Sequence, residues 1–192
     1  MNKKNITLIL VGIMLLILQL NIRVGNTYID IFSDLVGAIL IAIGGFPISK
    51  RNLVFKKMRG IMILGIILSI FSLAFGYLVG IKGNQYTTQI VTGCATITLI
   101  YFTYYFSEGL MLEAKFQEKE AATRSFRKIW FLLGALIFAS FMTTMSNISM
   151  LVIITQALTA IFAIYYCSAV LTACKQLYME GLPTKHMDTS NL

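Results

Sequence analysis

The chain has 192 residues, of which 57% are hydrophobic and 12% charged, with a formal net charge of +8. Soluble domains carry about 25% charged residues, so the composition excludes an ordinary water-soluble globule. The basic residues are spread between apolar runs instead of forming one basic domain, which excludes a nucleic-acid binder.

In chain order, the first apolar run extends from about Ile6 to Ile22. It follows Lys3 and Lys4 but lacks a small-x-small cleavage site, and five further runs come after it, so a cleaved secretory signal is not expected. The second run spans about Tyr28 to Ile48, the third Gly60 to Ile81 and the fourth Tyr86 to Phe106. The fifth spans Ile129 to Met145 and the sixth Met150 to Leu171. In lipid the backbone has no water to bond with, so each run should be helical. The expected fold is all-α: a polytopic membrane protein with six transmembrane helices in one domain, residues 1–179, and a polar tail, residues 180–192.

The connections set the orientation. Of 16 Lys and Arg residues, all but Arg23 and Lys82 fall on one side if every run crosses. By the positive-inside rule that side is cytoplasmic and both termini lie there. The outer connections, "GNT", "KGNQ" and "SNIS", leave no room for an extracellular domain. Of the inner connections, "SKRNLVFKKMR" (Ser49 to Arg59) reads as a basic anchor on anionic headgroups or a docking site for a partner. "EGLMLEAKFQEKEAATRSFRKIW" (Glu108 to Trp130) reads as a helix continuing span four. Leu112, Phe116, Thr123 and Phe126 recur at helical spacing there, and Glu120 precedes Arg124 by four.

Two sets of polar residues stand in the wrong solvent. The stretch Leu35 to Ile48 offers 14 apolar positions, about 21 Å of helix, against a hydrocarbon core of about 30 Å. The second helix should therefore reach back to about Tyr28, which draws Asp34 into the outer leaflet and puts Asp30 one turn above it on the same face. Gly37, Ile41 and Gly44 continue that face, which should pack against other helices. Arg23 closes the first span on the same side and is the expected partner of Asp34. The cluster either ties spans one and two together or binds an ion, proton or polar ligand.

The second set is a stripe along span four: Gln85, Gln89, Thr92, Thr96, Thr103 and Ser107 recur at intervals of three, four and seven. Such a stripe is either a packing seam between helices or the wall of a polar pocket. Gln19 and Gln156 are isolated amides that could join it.

No catalytic or metal-ligating pattern is present. The single histidine, His186, lies in the tail, and Cys94, Cys167 and Cys174 stand inside apolar helices without His or carboxylate neighbours. No cofactor or metal is expected, and an enzyme acting on lipids through Glu108 or Asp34 ranks last among the functional classes.

The segment "IDIFSDLVGAILIAIG" (Ile29 to Gly44) resembles a motif of a family of small, largely uncharacterised multi-span proteins of Gram-positive bacteria, approximately I-D-[IL]-[LF]-P-D-[FLIV]-[IV]-G-x-[IL]-L-I-x-x-G. Asp30, Asp34, Gly37 and Gly44 match, and Ser33 replaces the proline. The basic loop and "SEGLMLEAKF" are also similar. The resemblance implies a polytopic inner-membrane protein and carries no activity across. In size, span number and topology the chain also resembles the S components of energy-coupling factor importers, which bind vitamins between helices, although span one lacks their alanine docking pattern.

The expected function is binding or movement of a small solute, ion or lipid in the cell membrane, as a transporter or a substrate-binding membrane subunit. Candidate ligand-binding residues are Arg23, Asp30, Asp34, Gln89, Thr92 and Thr96. The alternative is a non-catalytic scaffold whose inner surface, Lys50 to Arg59 with Leu112 to Lys128, docks a partner.

Overall fold

The computed structural model describes residues 2–18, 21–24, 27–30, 34–79, 85–146 and 149–178, with side chains at 2–18, 34–74, 90–146 and 150–178. Six α-helices dominate: α1 (Lys3–Leu18), α2 (Asp34–Ile48), α3 (Leu53–Val79), α4 (Gln85–Phe116), α5 (Phe126–Ser146) and α6 (Ser149–Tyr178). Four segments are long and apolar enough to cross a membrane: Leu53–Ala74, Ile90–Phe116, Glu120–Ser146 and Met150–Tyr178. Their outward positions are apolar too, with Ile63, Ile67, Phe71, Ile97, Phe131 and Ile161 all exposed. An exposed apolar surface of this extent marks a membrane protein.

Each helix packs against its neighbour in sequence, and α6 closes back onto α1, so the six helices form a ring. The ring is tightest between α1 and α2, where glycines remove the side-chain layer. A Cβ on Gly12 would stand 2.7 Å from the Gly37 carbonyl oxygen, and one on Gly44 would stand 2.4 Å from the Asn5 carbonyl. The expected small face of the second helix thus packs inward.

The start of that helix differs from expectation. Helix α2 begins at Asp34, and residues assigned to its first turns belong to an antiparallel hairpin of β1 (Asn21–Val24) and β2 (Thr27–Asp30). The register pairs Asn21 with Asp30, Ile22 with Ile29, Arg23 with Tyr28 and Val24 with Thr27. Asp30 is therefore on a strand and does not share a helix face with Asp34. The hairpin satisfies backbone groups by cross-strand bonds where the sequence reading used helical ones. Its sequence signal is the two-residue Gly25-Asn26 between β-prone runs.

The second correction falls between α4 and α5. Glu108 to Trp130 is not one helix: α4 stops at Phe116, and a 3-10 turn, Glu120–Thr123, follows. Glu118 adopts a φ of 57°. The Lys119 amide bonds the Ala114 carbonyl at 2.9 Å and the Glu118 amide bonds the Lys115 carbonyl at 3.1 Å. Those two bonds around a left-handed residue form a Schellman stop. The 3-10 turn also removes the helical spacing assumed for Glu120 and Arg124. The tail, residues 180–192, lies outside the described residues.

The end of the ring that carries most of the basic residues is solidly packed. Ile6, Ile9, Ile13, Ile48, Phe55, Met58, Phe106, Leu110, Tyr166 and Val170 are all buried there. Asn52 caps α3 by accepting from the Phe55 amide at 2.8 Å, and its side-chain amide donates to the Gly109 carbonyl at 3.2 Å. Gly109 in turn leaves room for the Phe55 ring, which would lie 2.3 Å from a Cβ placed there.

Candidate functional site

Toward the opposite end of the ring the described residues leave open space. A cavity of about 130 Å³ is lined by all six helices. Leu16 and Ile17 come from the last turn of α1, Asp34 from the first residue of α2, and Ser69 and Ser72 from the second half of α3. Thr92, Ala95 and Thr96 come from the first half of α4, Ser140 and Thr144 from the end of α5, and Gln156 and Thr159 from the start of α6. All of these positions lie toward the same end of the antiparallel ring, away from the basic loops. Ile41, Met62, Leu99 and Phe102 form the apolar floor above the packed core.

The stripe on α4 divides at this floor. Above it, Thr92 and Thr96 line the cavity, and the Thr96 hydroxyl donates to the Thr92 carbonyl at 2.8 Å. Below it, Thr103 and Ser107 are buried in a seam with α6. The Tyr166 hydroxyl donates to the Thr103 carbonyl at 3.3 Å and shares a 2.9 Å bond with Ser107. With its proton directed to the carbonyl, Tyr166 accepts from Ser107. Both sequence readings of the stripe, pocket wall and packing seam, thus apply to different halves of one helix.

Of the six expected site residues, the structure brings Asp34, Thr92 and Thr96 to one cavity. Arg23 and Asp30 are placed by backbone register alone, on opposite strands of the hairpin. The side chains of Arg23, Asp30 and Gln89 lie outside the described residues, as does Gln19. The expected Arg23–Asp34 pair is therefore not among the described contacts.

Sequence reasoning anticipated Gln156 on α6 and missed Thr159 and the contributions of α3 and α5. Ser69 and Ser72 are three apart, Ser140 and Thr144 four apart, and Gln156 and Thr159 three apart. Each pair repeats, in a shorter form, the spacing noted on α4. Asp34 is the sole ionisable group among the described lining residues, which include no Lys, Arg or His. Nor do three His, Cys, Asp or Glu side chains converge anywhere among the described residues. The described walls offer room to hold a small molecule against hydroxyl, amide and carboxylate groups.

At the basic end, several cations are turned onto the protein itself. Arg51 approaches Glu113 at 3.5 Å and lies over the Tyr178 ring at 5.3 Å. Arg127 approaches Glu108 at 3.3 Å, and the Lys119 ammonium donates to the Gln176 carbonyl. Lys57 lies over the Tyr105 ring at 6.0 Å. No family model, curated protein or solved structure matches the chain.

Proposed function

We propose that the chain is a six-span protein of the cell membrane, with both termini cytoplasmic, that binds or moves a small solute through the cavity between its helices. The observation that carries this reading is a hollow half-ring, lined by hydroxyl, amide and carboxylate groups, above a sealed one. Interior space in proteins is normally filled to crystal density, and polar groups in a membrane interior are costly unless they serve packing or a ligand. In the six-span orientation the hollow half faces outward and the packed core blocks passage inward, as in a receptor or an outward-facing transporter.

The hairpin fits the same orientation. Helix α2 has 15 residues, about 22 Å, short of a hydrocarbon core of about 30 Å. A two-stranded hairpin leaves edge groups unpaired and belongs at the headgroup level, where water reaches. Its position between α1 and α2 completes the first pair of crossings. The internal partners of Arg51, Lys119 and Arg127 support the cavity over the basic loops as the working surface.

The test is a thermal-shift screen of small solutes on the purified chain, repeated with Ala95→Phe, which places a ring in the cavity. At least one solute should stabilise the native chain saturably and lose that effect on the variant. A more stable Ala95→Phe protein, with no solute stabilising the native chain, would show that the space is a packing void.

A further inference from the structure

Five of the eight hydroxyl groups that line the cavity share one hydrogen-bonding sense. Ser69 donates to the Gly65 carbonyl at 2.9 Å, Thr96 to the Thr92 carbonyl at 2.8 Å and Thr98 to the Cys94 carbonyl at 2.7 Å. Thr144 donates to the Ser140 carbonyl at 2.9 Å and Thr159 to the Thr155 carbonyl at 2.7 Å. All five line the cavity. A hydroxyl has one proton and two acceptor lone pairs. With the proton committed to the helix backbone, what these five can offer a solute is lone pairs. Asp34, when ionised, also accepts and adds the one formal charge among the described lining residues.

From this we infer that the cavity takes a small organic ammonium: a hydrogen-bond donor group carried on a short apolar body. Resting on the binding function proposed above, the inference specifies the class of solute. Apart from Gln156, whose amide both donates and accepts, the polar side chains of the wall offer oxygen acceptors on several helices, which a protonated amine with its three N–H groups can satisfy together. A carboxylate or phosphate brings acceptors to acceptors and a negative charge to Asp34. The body of the solute meets Ile41, Met62, Leu99 and Phe102 on the floor. Size is set by the volume of about 130 Å³. A cavity of about 150 Å³ holds benzene, so the solute has about the bulk of a five- or six-membered ring.

The experiment uses three probes that differ only in the polar group: cyclopentylamine, cyclopentanol and cyclopentanecarboxylate. Each is titrated by calorimetry against the full chain in lipid nanodiscs at neutral pH. Cyclopentylamine should bind saturably and at least about tenfold more tightly than the other two, the factor expected for one charge-assisted hydrogen bond. Asp34→Asn should weaken it about tenfold or more. Thr96→Val keeps the side-chain shape and removes an acceptor; it should weaken the amine severalfold and leave the alcohol within about twofold. Should Asp34→Asn fail to fold, Thr96→Val carries the comparison alone.

Equal or tighter binding of the carboxylate, displaced by Ala95→Phe, overturns the ammonium assignment while the cavity stands as a binding site. Equal binding of the alcohol and the amine, unaffected by Thr96→Val, also overturns it. Saturable binding of none of the three overturns it too. In that last case the proposed function falls as well only if Ala95→Phe raises stability and the wider solute screen finds nothing.

Discussion

Substituting Gly12 tests whether helices α1 and α2 meet backbone to backbone. A Cβ at Gly12 would stand 2.7 Å from the Gly37 carbonyl oxygen and 3.0 Å from the Ile41 amide nitrogen. Neither atom can rotate away. Bringing the closer contact to the start of the ordinary range, 3.4 Å, separates the two helices by roughly 0.7 Å, because a backbone contact yields only to rigid-body movement. Overpacking of this kind costs about 1–3 kcal/mol. At about 2–4 °C per kcal/mol for a chain of this size, Gly12→Ala should lower the unfolding temperature by roughly 2–12 °C. Two controls separate this steric effect from the general consequence of adding a methyl group. At Gly65 the nearest atom is the Thr98 methyl at 3.7 Å, and at Gly60 nothing lies within 4 Å. Both lie inside α3, so Gly65→Ala and Gly60→Ala should each leave stability unchanged or raise it by up to about 1 kcal/mol through helix propensity. The assay is thermal unfolding in mild detergent, followed by the fluorescence of Trp130, the chain's single tryptophan. Its ring lies 4.9 Å from that of Tyr104 on the neighbouring helix. Gly12→Ala matching the native protein, or Gly65→Ala losing as much, would refute the backbone contact.

Two further perturbations probe the packed half. Tyr166→Phe, Ser107→Ala and the double variant form a thermodynamic cycle. The coupling should be about 0.6–1.7 kcal/mol, the range of interhelical hydrogen bonds in membranes; a coupling of zero by chemical denaturation would mean the two hydroxyls do not share a bond. Glu118→Gly should stabilise the chain by up to about 1 kcal/mol, since glycine adopts the left-handed conformation of the α4 stop without a Cβ penalty. Thermal unfolding would show this as an upward shift, and a downward shift would argue against the stop. The Arg51–Glu113 contact is 3.5 Å long with the Arg51 side chain 41% exposed, so Arg51→Met should cost less than about 1 kcal/mol. Asn52→Ala should cost about 1–2 kcal/mol, because one residue both caps α3 and bonds α4. The same unfolding assay, with Arg51→Met the costlier of the two, would reverse that ordering and the reasoning behind it.

The helical architecture was legible because hydrophobic run length depends on the solvent and little else. Asp34, Thr92 and Thr96 were legible because polar groups stand out against an apolar run. The hairpin was not, because the length argument assumed that a short apolar stretch must be extended by more helix. Gly25-Asn26 carried the opposing signal, but a two-residue turn weighs little beside a missing 9 Å or so of hydrocarbon span. The break at Glu118 was hidden for a related reason. Nothing in Gln117-Glu118-Lys119 disfavours helix, and the stop depends on a non-glycine residue accepting a left-handed conformation that tertiary packing makes worthwhile. Tyr166 escaped notice because its partner Ser107 lies 59 positions away, a pairing that no local pattern encodes.

The residues that produce the open space come from four helices at once. The inward face of α3 runs Phe55, Met58, Met62, then Gly65, Ser69 and Ser72. That of α4 runs in the opposite chain direction, from Thr92, Ala95 and Thr96 through Leu99 and Phe102 to Phe106 and Leu110. Helix α5 passes from Phe126, Ile129 and Leu133 to Ser140 and Thr144, and α6 from Gln156, Thr159 and Ala163 to Tyr166 and Val170. On these four helices the largest buried side chains gather toward the basic end, while hydroxyl-bearing residues line the other end beside Leu68, Phe141 and Gln156. Because neighbouring helices are antiparallel, the same spatial gradient requires opposite sequence orders in successive helices. Small polar residues that served only to bring helices together would close the space between them, as Gly12 and Gly37 do between α1 and α2. Here they leave it open, and Ser69, Thr96, Thr98, Thr144 and Thr159 direct their protons to their own helix backbones. Under the proposed binding function, this open space is where a solute would sit.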